Sequence, residues 1–198
     1  MPSFHTIQAQ STPDDPRGLI ESNLGSGERI LWQGQPDVWA FSMRGAWYLI
    51  PFSILWAGFA IFWEIGVLNE GAGPLFALWG IPFVLIGIYM VFGRIPLARW
   101  EARRTLFSVT SKRVIIVSGG LRSRWMEVAL RDLPPAELDD GGSGLGTITF
   151  GSYAGAYRPP PGWPTFGMYG TPPAFTSIHD PARVYRVIQD AKEAARAG

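Results

Sequence analysis

The sequence predicts a membrane α+β protein: a two-helix transmembrane hairpin inserted in or attached to an antiparallel β-domain, which a C-terminal helix closes. Three observations predict it. Two apolar segments, 46–67 and 74–92, are separated only by Leu68-Asn69-Glu70-Gly71-Ala72-Gly73. From Thr105 onward the apolar period changes to two, and after Asp180 it changes again to that of an amphipathic helix.

The elements follow in chain order. Residues 1–26 have little apolar periodicity, and Ser11-Thr12-Pro13-Asp14-Asp15-Pro16 is turn-rich, so a flexible tail is expected. Residues 28–34 (Glu-Arg-Ile-Leu-Trp-Gln-Gly) lie between Gly25-Ser26-Gly27 and Gly34-Gln35-Pro36 and read as a strand within a first β region, 27–36. Trp39, Phe41, Trp47 and Tyr48 follow, aromatics of the kind that settle at a membrane–water boundary. Each apolar segment of the hairpin, 46–92, has about 20 residues, the length a helix rising ~1.5 Å per residue needs to cross ~30 Å of hydrocarbon. Pro51 sits early in the first segment, and Pro82 is expected to kink the second. A cleaved signal is not expected: the first segment starts far into the chain and exceeds the ~7–15 residues of a signal core. Nor is a buried soluble hairpin, because the remaining chain is too small and polar to wrap it.

Beyond the hairpin lies a cytosolic domain at 104–197. Strands are expected at 105–109, 113–118, 123–130 and 146–151, with a short edge strand within 131–138 near Pro134-Pro135 and another strand at 174–178. Residues 153–173 are rich in proline and read as a long loop of polyproline II character. Asp180 is placed to cap a helix that opens with Pro181 and carries Val184, Val187, Ile188 and Ala191 on one face.

Composition narrows the function. The chain has 198 residues, 47% of them hydrophobic, and a net charge of +1, which argues against a nucleic-acid partner. It has no cysteine, which excludes disulfides, thiolate metal sites and cysteine nucleophiles. Arginine placement orients the hairpin. The loop 68–73 has no Lys or Arg, whereas Arg29 and Arg44 precede the first segment and Arg94, Arg99, Arg103 and Arg104 follow the second. The positive-inside rule then puts both termini in the cytoplasm of a multi-pass inner-membrane protein.

Several stretches together resemble the bacterial membrane-anchored pleckstrin-homology-like (bacterial PH) proteins. They are Gly27-Glu28-Arg29-Ile30-Leu31-Trp32-Gln33-Gly34-Gln35-Pro36 before the hairpin, Phe107-Ser108-Val109-Thr110-Ser111-Lys112-Arg113-Val114-Ile115-Ile116 with Gly119-Gly120, Gly144-Leu145-Gly146-Thr147-Ile148-Thr149-Phe150, and Phe175-Thr176-Ser177-Ile178-His179-Asp180 entering the last helix. The resemblance implies a curved antiparallel sheet or barrel of about seven strands closed by the C-terminal helix. The hairpin would then be an insertion after the first strand.

No catalytic constellation stands out, and no cofactor or metal is expected. There is no G-x-S-x-G elbow or zinc-protease motif, and 141–146 lacks the Lys-Ser/Thr of a phosphate loop. His5 and His179 are too far apart in sequence to argue for a metal pair. Arg99, Arg103, Arg104, Lys112 and Arg113 are candidate contacts for anionic phospholipid headgroups. Tyr157, Trp163, Phe166 and Tyr169 are candidates for a partner-binding or membrane-surface loop. The reading favoured is a non-catalytic binding or scaffold protein at the cytoplasmic face, with the lipid bilayer and a protein partner or second copy as partners. The alternative is a small oligomeric transport or channel subunit that packs through Gly58, Gly80 and Gly87 with Glu64 lining a path.

Overall fold

The computed structural model describes residues 5–8, 16–71, 73–119, 123–151 and 173–197. Among these, the chain runs β1 (His5–Gln8), α1 (Pro16–Ser22), β2 (Ile30–Gly34), α2 (Val38–Ser42), α3 (Ala46–Asn69) and α4 (Pro74–Ile88). A π-helical turn, Tyr89–Gly93, leads into α5 (Arg94–Arg103). Then come β3 (Leu106–Thr110), β4 (Arg113–Gly119), β5 (Ser123–Ala129), a 3-10 turn Leu130–Asp132, β6 (Ala136–Asp140), β7 (Leu145–Phe150), β8 (Ala174–His179) and α6 (Pro181–Ala197).

The strands form two antiparallel sheets, one ordered β1-β5-β4-β3-β2 and the other β6-β7-β8. They do not join into the closed barrel that the sequence left open, and the described strands number eight rather than about seven. The core lies between the sheets. Phe107, Val109, Val114, Ile116 and Val128 meet Ile148, Phe150, Phe175 and Ile178, and α6 adds Val184, Ile188 and Ala191. Phe175 is central: its ring stacks on Phe107 at 4.9 Å, meets Phe150 edge-on at 5.1 Å and lies 5.5 Å from Trp32. Such pairs add to the apolar burial because ring edges and faces carry opposite partial charge.

β2 answers how the hairpin is attached. It pairs antiparallel with β3, with Gln33 opposite Ser108 and Gly34 opposite Phe107. The two strands are neighbours in one sheet although both helices of the hairpin lie between them in sequence. The hairpin is therefore inserted within the β-domain.

The N-terminal stretch departs from expectation. Instead of a structureless tail across 1–26, β1 pairs with β5 and α1 seats Ile20 with no exposure at all. Ile20 packs with Leu106, Ile115, Val117 and Trp125, on the face of the first sheet opposite the main core. This is why Val114-Ile115-Ile116-Val117 is apolar without alternation: a strand covered on both faces has no polar side to show.

The hairpin helices are long and apolar, and very little of them is covered by the rest of the chain. Phe62, Leu75, Trp79 and Phe92 are 76%, 79%, 69% and 72% exposed, so the described residues build no core around them. Two stretches, Tyr48–Asn69 and Leu78–Arg103, are long and apolar enough to cross a membrane. α4 continues through Pro82, and the irregularity of the second helix is the π turn at Tyr89–Gly93 instead. α3 and α4 meet through Gly87, whose added Cβ would lie 3.0 Å from Ala57 Cα, and through Gly80, against which the Glu64 carboxyl rests. Trp56 donates Nε1–H to the Phe83 carbonyl at 3.4 Å across the same seam.

Candidate functional site

The ends of the hairpin nearest the sheets, α2 and α5, form the candidate site. α5 continues the second hairpin helix, so its residues advance about 1.5 Å each away from the apolar belt. Asp37 caps α2 by accepting from the Ala40 N–H at 2.8 Å. α2 lies against α5, which brings Trp39 to Arg99: the guanidinium sits 5.8 Å from the ring centroid. Arg104 sits 4.6 Å above the Trp100 ring. Arg103 is exposed, and its carbonyl accepts from Gln35 Nε2 at 3.3 Å. Arg99, Arg103 and Arg104 are thus brought together.

Lys112 and Arg113 are not part of that group. They sit in and after the turn at the other end of β3, which at ~3.3 Å per residue separates them from α5 by roughly 20 Å. Lys112 donates to the Ser26 carbonyl at 2.8 Å. Arg113 is held by several partners. Its Nε is 3.0 Å from Glu28 Oε1 and its Nη1 2.6 Å from Glu127 Oε2, while Nη2 donates to the Asn23 carbonyl at 2.6 Å. The structure engages Arg113 with the loop before β2 and with β5, which leaves it less available than Arg99 or Arg103. No signal in the sequence announces this, since Glu28 and Arg113 are 85 residues apart.

Glu28 is the buried partner, its side chain 2% exposed. It accepts from Thr110 Oγ1 at 2.6 Å and from the Gly25 N–H at 2.8 Å. Desolvation pushes its pKa up, but the bonds from Thr110, Gly25 and Arg113 and the Arg113 charge outweigh that and hold it below its ordinary value.

Just beneath the arginines lies a second polar group, whose Arg44 and Arg94 the sequence offers only as markers of hairpin orientation. Arg94 is 2% exposed, and its Nη1 points at the Ser42 carbonyl, 3.5 Å away, at the C-terminal end of α2. Tyr48 and Tyr89 lie within electrostatic reach of it. Arg44 shares the layer: burial lowers its pKa from the ordinary value, and Tyr48 and Glu101 oppose that shift. A cation at a helix C-terminus is favourably placed against the unsatisfied carbonyls, so Arg94 pins α2 to the hairpin.

The other candidates are placed as follows. Glu64 faces Gly80, with Oε2 buried and lacking a hydrogen-bond partner among the described residues. His179 is 70% exposed, with Nε2 3.4 Å from Asp37 Oδ2. Among the described residues no group of three His, Asp or Glu is arranged to hold a metal. Asp180 precedes α6 as expected, with its carbonyl accepting from Arg183 and Val184, but its backbone is left-handed, at φ 49°. Tyr157, Trp163, Phe166 and Tyr169 lie outside the described residues, as does all of the proline-rich loop except Pro173.

The model of the bacterial PH domain family matches residues 48–192. The chain belongs to that family. The match begins inside the hairpin, so β2 lies outside it although β2 is paired into the sheet of this bacterial PH protein. A curated relative is the uncharacterised 23.7 kDa protein in the puhA 5′ region of Rhodobacter capsulatus, 29% identical over 140 residues. That match spans 68% of this chain and 63% of the relative, less than two thirds of the relative's length. No solved structure matches at a significant level.

Proposed function

We propose that this bacterial PH protein is a non-catalytic binding or scaffold module, held at the cytoplasmic face of the inner membrane by its hairpin. The observation that carries the reading is the pairing of β2 with β3 across the hairpin. A helical pair so exposed and apolar needs hydrocarbon around it, and both of its cytoplasmic ends return to one sheet. The membrane therefore sets the position of the β-domain, and this raises the domain's effective concentration for neighbours in or on the bilayer. Arg94, Arg99, Arg103 and Arg104 cluster at the end nearest the sheets, while 68–73 carries no basic residue, which supports a cytoplasmic β-domain and cytoplasmic termini.

The transport reading has less support. Gly80 and Gly87 are used within the hairpin, against Glu64 and Ala57, and Gly58 has nothing within 4 Å of an added Cβ. Glu64 turns to the seam between the two helices and not to an outer face. A fluorescent reporter after Gly198 combined with carbonate extraction tests the main reading: the protein should stay in the carbonate-resistant membrane fraction with the reporter active in the cytosol. Release by carbonate, or a periplasmic reporter, overturns it.

A further inference from the structure

We infer that Arg99, Arg103 and the Trp39 ring form a binding site for the headgroup of an anionic phospholipid, distinct from any ligand surface on the sheets. The inference rests on the membrane reading above.

Depth is the first ground. Phe92, 72% exposed, is the last large apolar side chain facing outward on the second hairpin helix. Arg99 is seven residues further on, about 10 Å along the axis. A headgroup layer is roughly 5–8 Å thick beyond the hydrocarbon edge. Arg99 therefore stands at the outer edge of the headgroup layer, from which a long side chain reaches back to the phosphates, and Arg103 one turn further out.

Direction is the second ground. At about 100° per residue, Arg99 and Arg103 are only about 40° apart around the helix, and their Cβ atoms lie about 6 Å apart on one exposed face. Glu101, the carboxylate between them, is turned roughly half a circle away and acts on Arg44 and Tyr89 on the inner side. It does not neutralise the outer face. The two guanidinium groups are thus a doubly cationic patch in a chain whose net charge is only +1.

The third ground is the ring. Trp39 is 62% exposed at this level, and Arg99 lies over its face. At 5.8 Å the contact is charge-to-ring attraction, which takes up none of the guanidinium N–H groups and leaves them for oxygen acceptors. A phosphodiester accepts two such parallel bonds. The indole itself is apolar in body and suits the glycerol and ester region next to a headgroup. A soluble phosphate would use the guanidinium edges but not the ring, so the geometry commits to a lipid. Lys112 and Arg113, at the far end of β3 and engaged elsewhere, take no part.

The test uses the full chain purified in a neutral detergent. Thermal stability is followed while phosphatidylglycerol, phosphatidylcholine or inorganic phosphate is titrated in, and retained lipid is counted by native mass spectrometry. Phosphatidylglycerol should raise the melting temperature at concentrations where the other two do not, and added salt should weaken the effect. Arg99→Gln and Arg103→Gln should each weaken phosphatidylglycerol binding about fivefold, the value of one basic residue at an anionic surface. Trp39→Leu should weaken it with the salt dependence unchanged. Lys112→Gln should bind as the parent does. Equal stabilisation by phosphatidylcholine, an equal response to phosphate, unaltered binding in both arginine variants, or an equal loss in Lys112→Gln would each overturn the inference. Carbonate extraction of the same variants separates the two claims. A protein that stays integral but ignores lipid charge sinks only the headgroup site, and one that leaves the membrane sinks the anchoring reading.

Discussion

Replacing Glu28 with alanine tests whether the segment before the hairpin is locked into the domain after it. The substitution removes acceptors for Gly25 N–H, Thr110 Oγ1, Arg113 Nε and Arg113 Nη2. Breaking one side of a buried ion pair costs ~3–5 kcal/mol, mostly because the remaining charge is stranded. Arg113 is not fully stranded here, since it keeps Glu127 and the Asn23 carbonyl, and its own side chain is 22% exposed. The low end, about 3 kcal/mol, is therefore expected, which for a chain of this size corresponds to a melting shift of about 6–12 °C. The measurement is thermal unfolding in detergent for Glu28→Ala, Arg113→Ala and the double variant. Directly contacting charged groups should couple by about 1.5–3 kcal/mol in the cycle. A coupling near zero, or a Glu28→Ala shift under about 2 °C, would refute the reasoning: the pair would then be a surface contact, and the first strand would be held by its ladder alone.

The same carboxylate sets a pH response. Its pKa is lowered in the fold, so its stabilising contribution is complete above its ordinary value of 4.5 and fades as pH falls through the lower folded value; the Glu28→Ala variant should lose that acid-side slope in melts between pH 6 and pH 3. Gly119→Ala should destabilise strongly, because an added Cβ would run into the Arg104 backbone carbonyl, while Gly58→Ala, which meets nothing within 4 Å, should leave the melting temperature within about a degree. Because the chain has no cysteine, single pairs can be introduced for spin labels. Asn69→Cys with Glu193→Cys should give a narrow distance distribution in a bilayer, and four Gly-Ser residues inserted after Arg104 should broaden it; a distribution already broad in the parent would contradict a rigidly held domain.

Much of this architecture is legible in local pattern. The hairpin segments, the strands around Val114 and Ile148, and the Asp180-Pro181 helix start need only neighbouring residues to be recognised. What escaped reading depends on distant partners. His5–Gln8 has no amphipathic signature because its order comes from a backbone ladder with β5, with Ile7 opposite Trp125. Ile20 looks isolated in sequence, and only the second apolar face of β4 explains why it is buried. The uninterrupted Val114–Val117 run was the available sign that something must cover that face. Arginines that follow an apolar segment look alike in sequence. The fold divides them, since β3 carries Arg113 away to Glu28 while α5 leaves Arg99 and Arg103 on an open face.

The mode of insertion carries the functional consequence. A domain on a flexible linker samples many orientations, so its gain in effective concentration is spread over all of them. This domain has no such linker. Only Arg104 and Thr105 separate α5 from β3, and Thr105 Oγ1 donates to the Glu101 carbonyl at 2.9 Å, tying even that joint to the helix. On the other side, Gln35, Pro36 and Asp37 connect β2 to α2, and the Asp37 N–H donates to the Ser177 carbonyl of β8 at 2.7 Å. Arg94 then holds the end of α2 against the hairpin from within. Both strands that flank the insertion are thereby registered to the hairpin, one through α2 and one through α5, and they are also paired to each other. A rotation of the sheets against the hairpin would have to break the β2–β3 ladder or the α2–α5 contact. The faces of the β-domain are therefore held in fixed directions relative to the hairpin; under the proposed membrane anchoring, that turns each face to a set side of the bilayer.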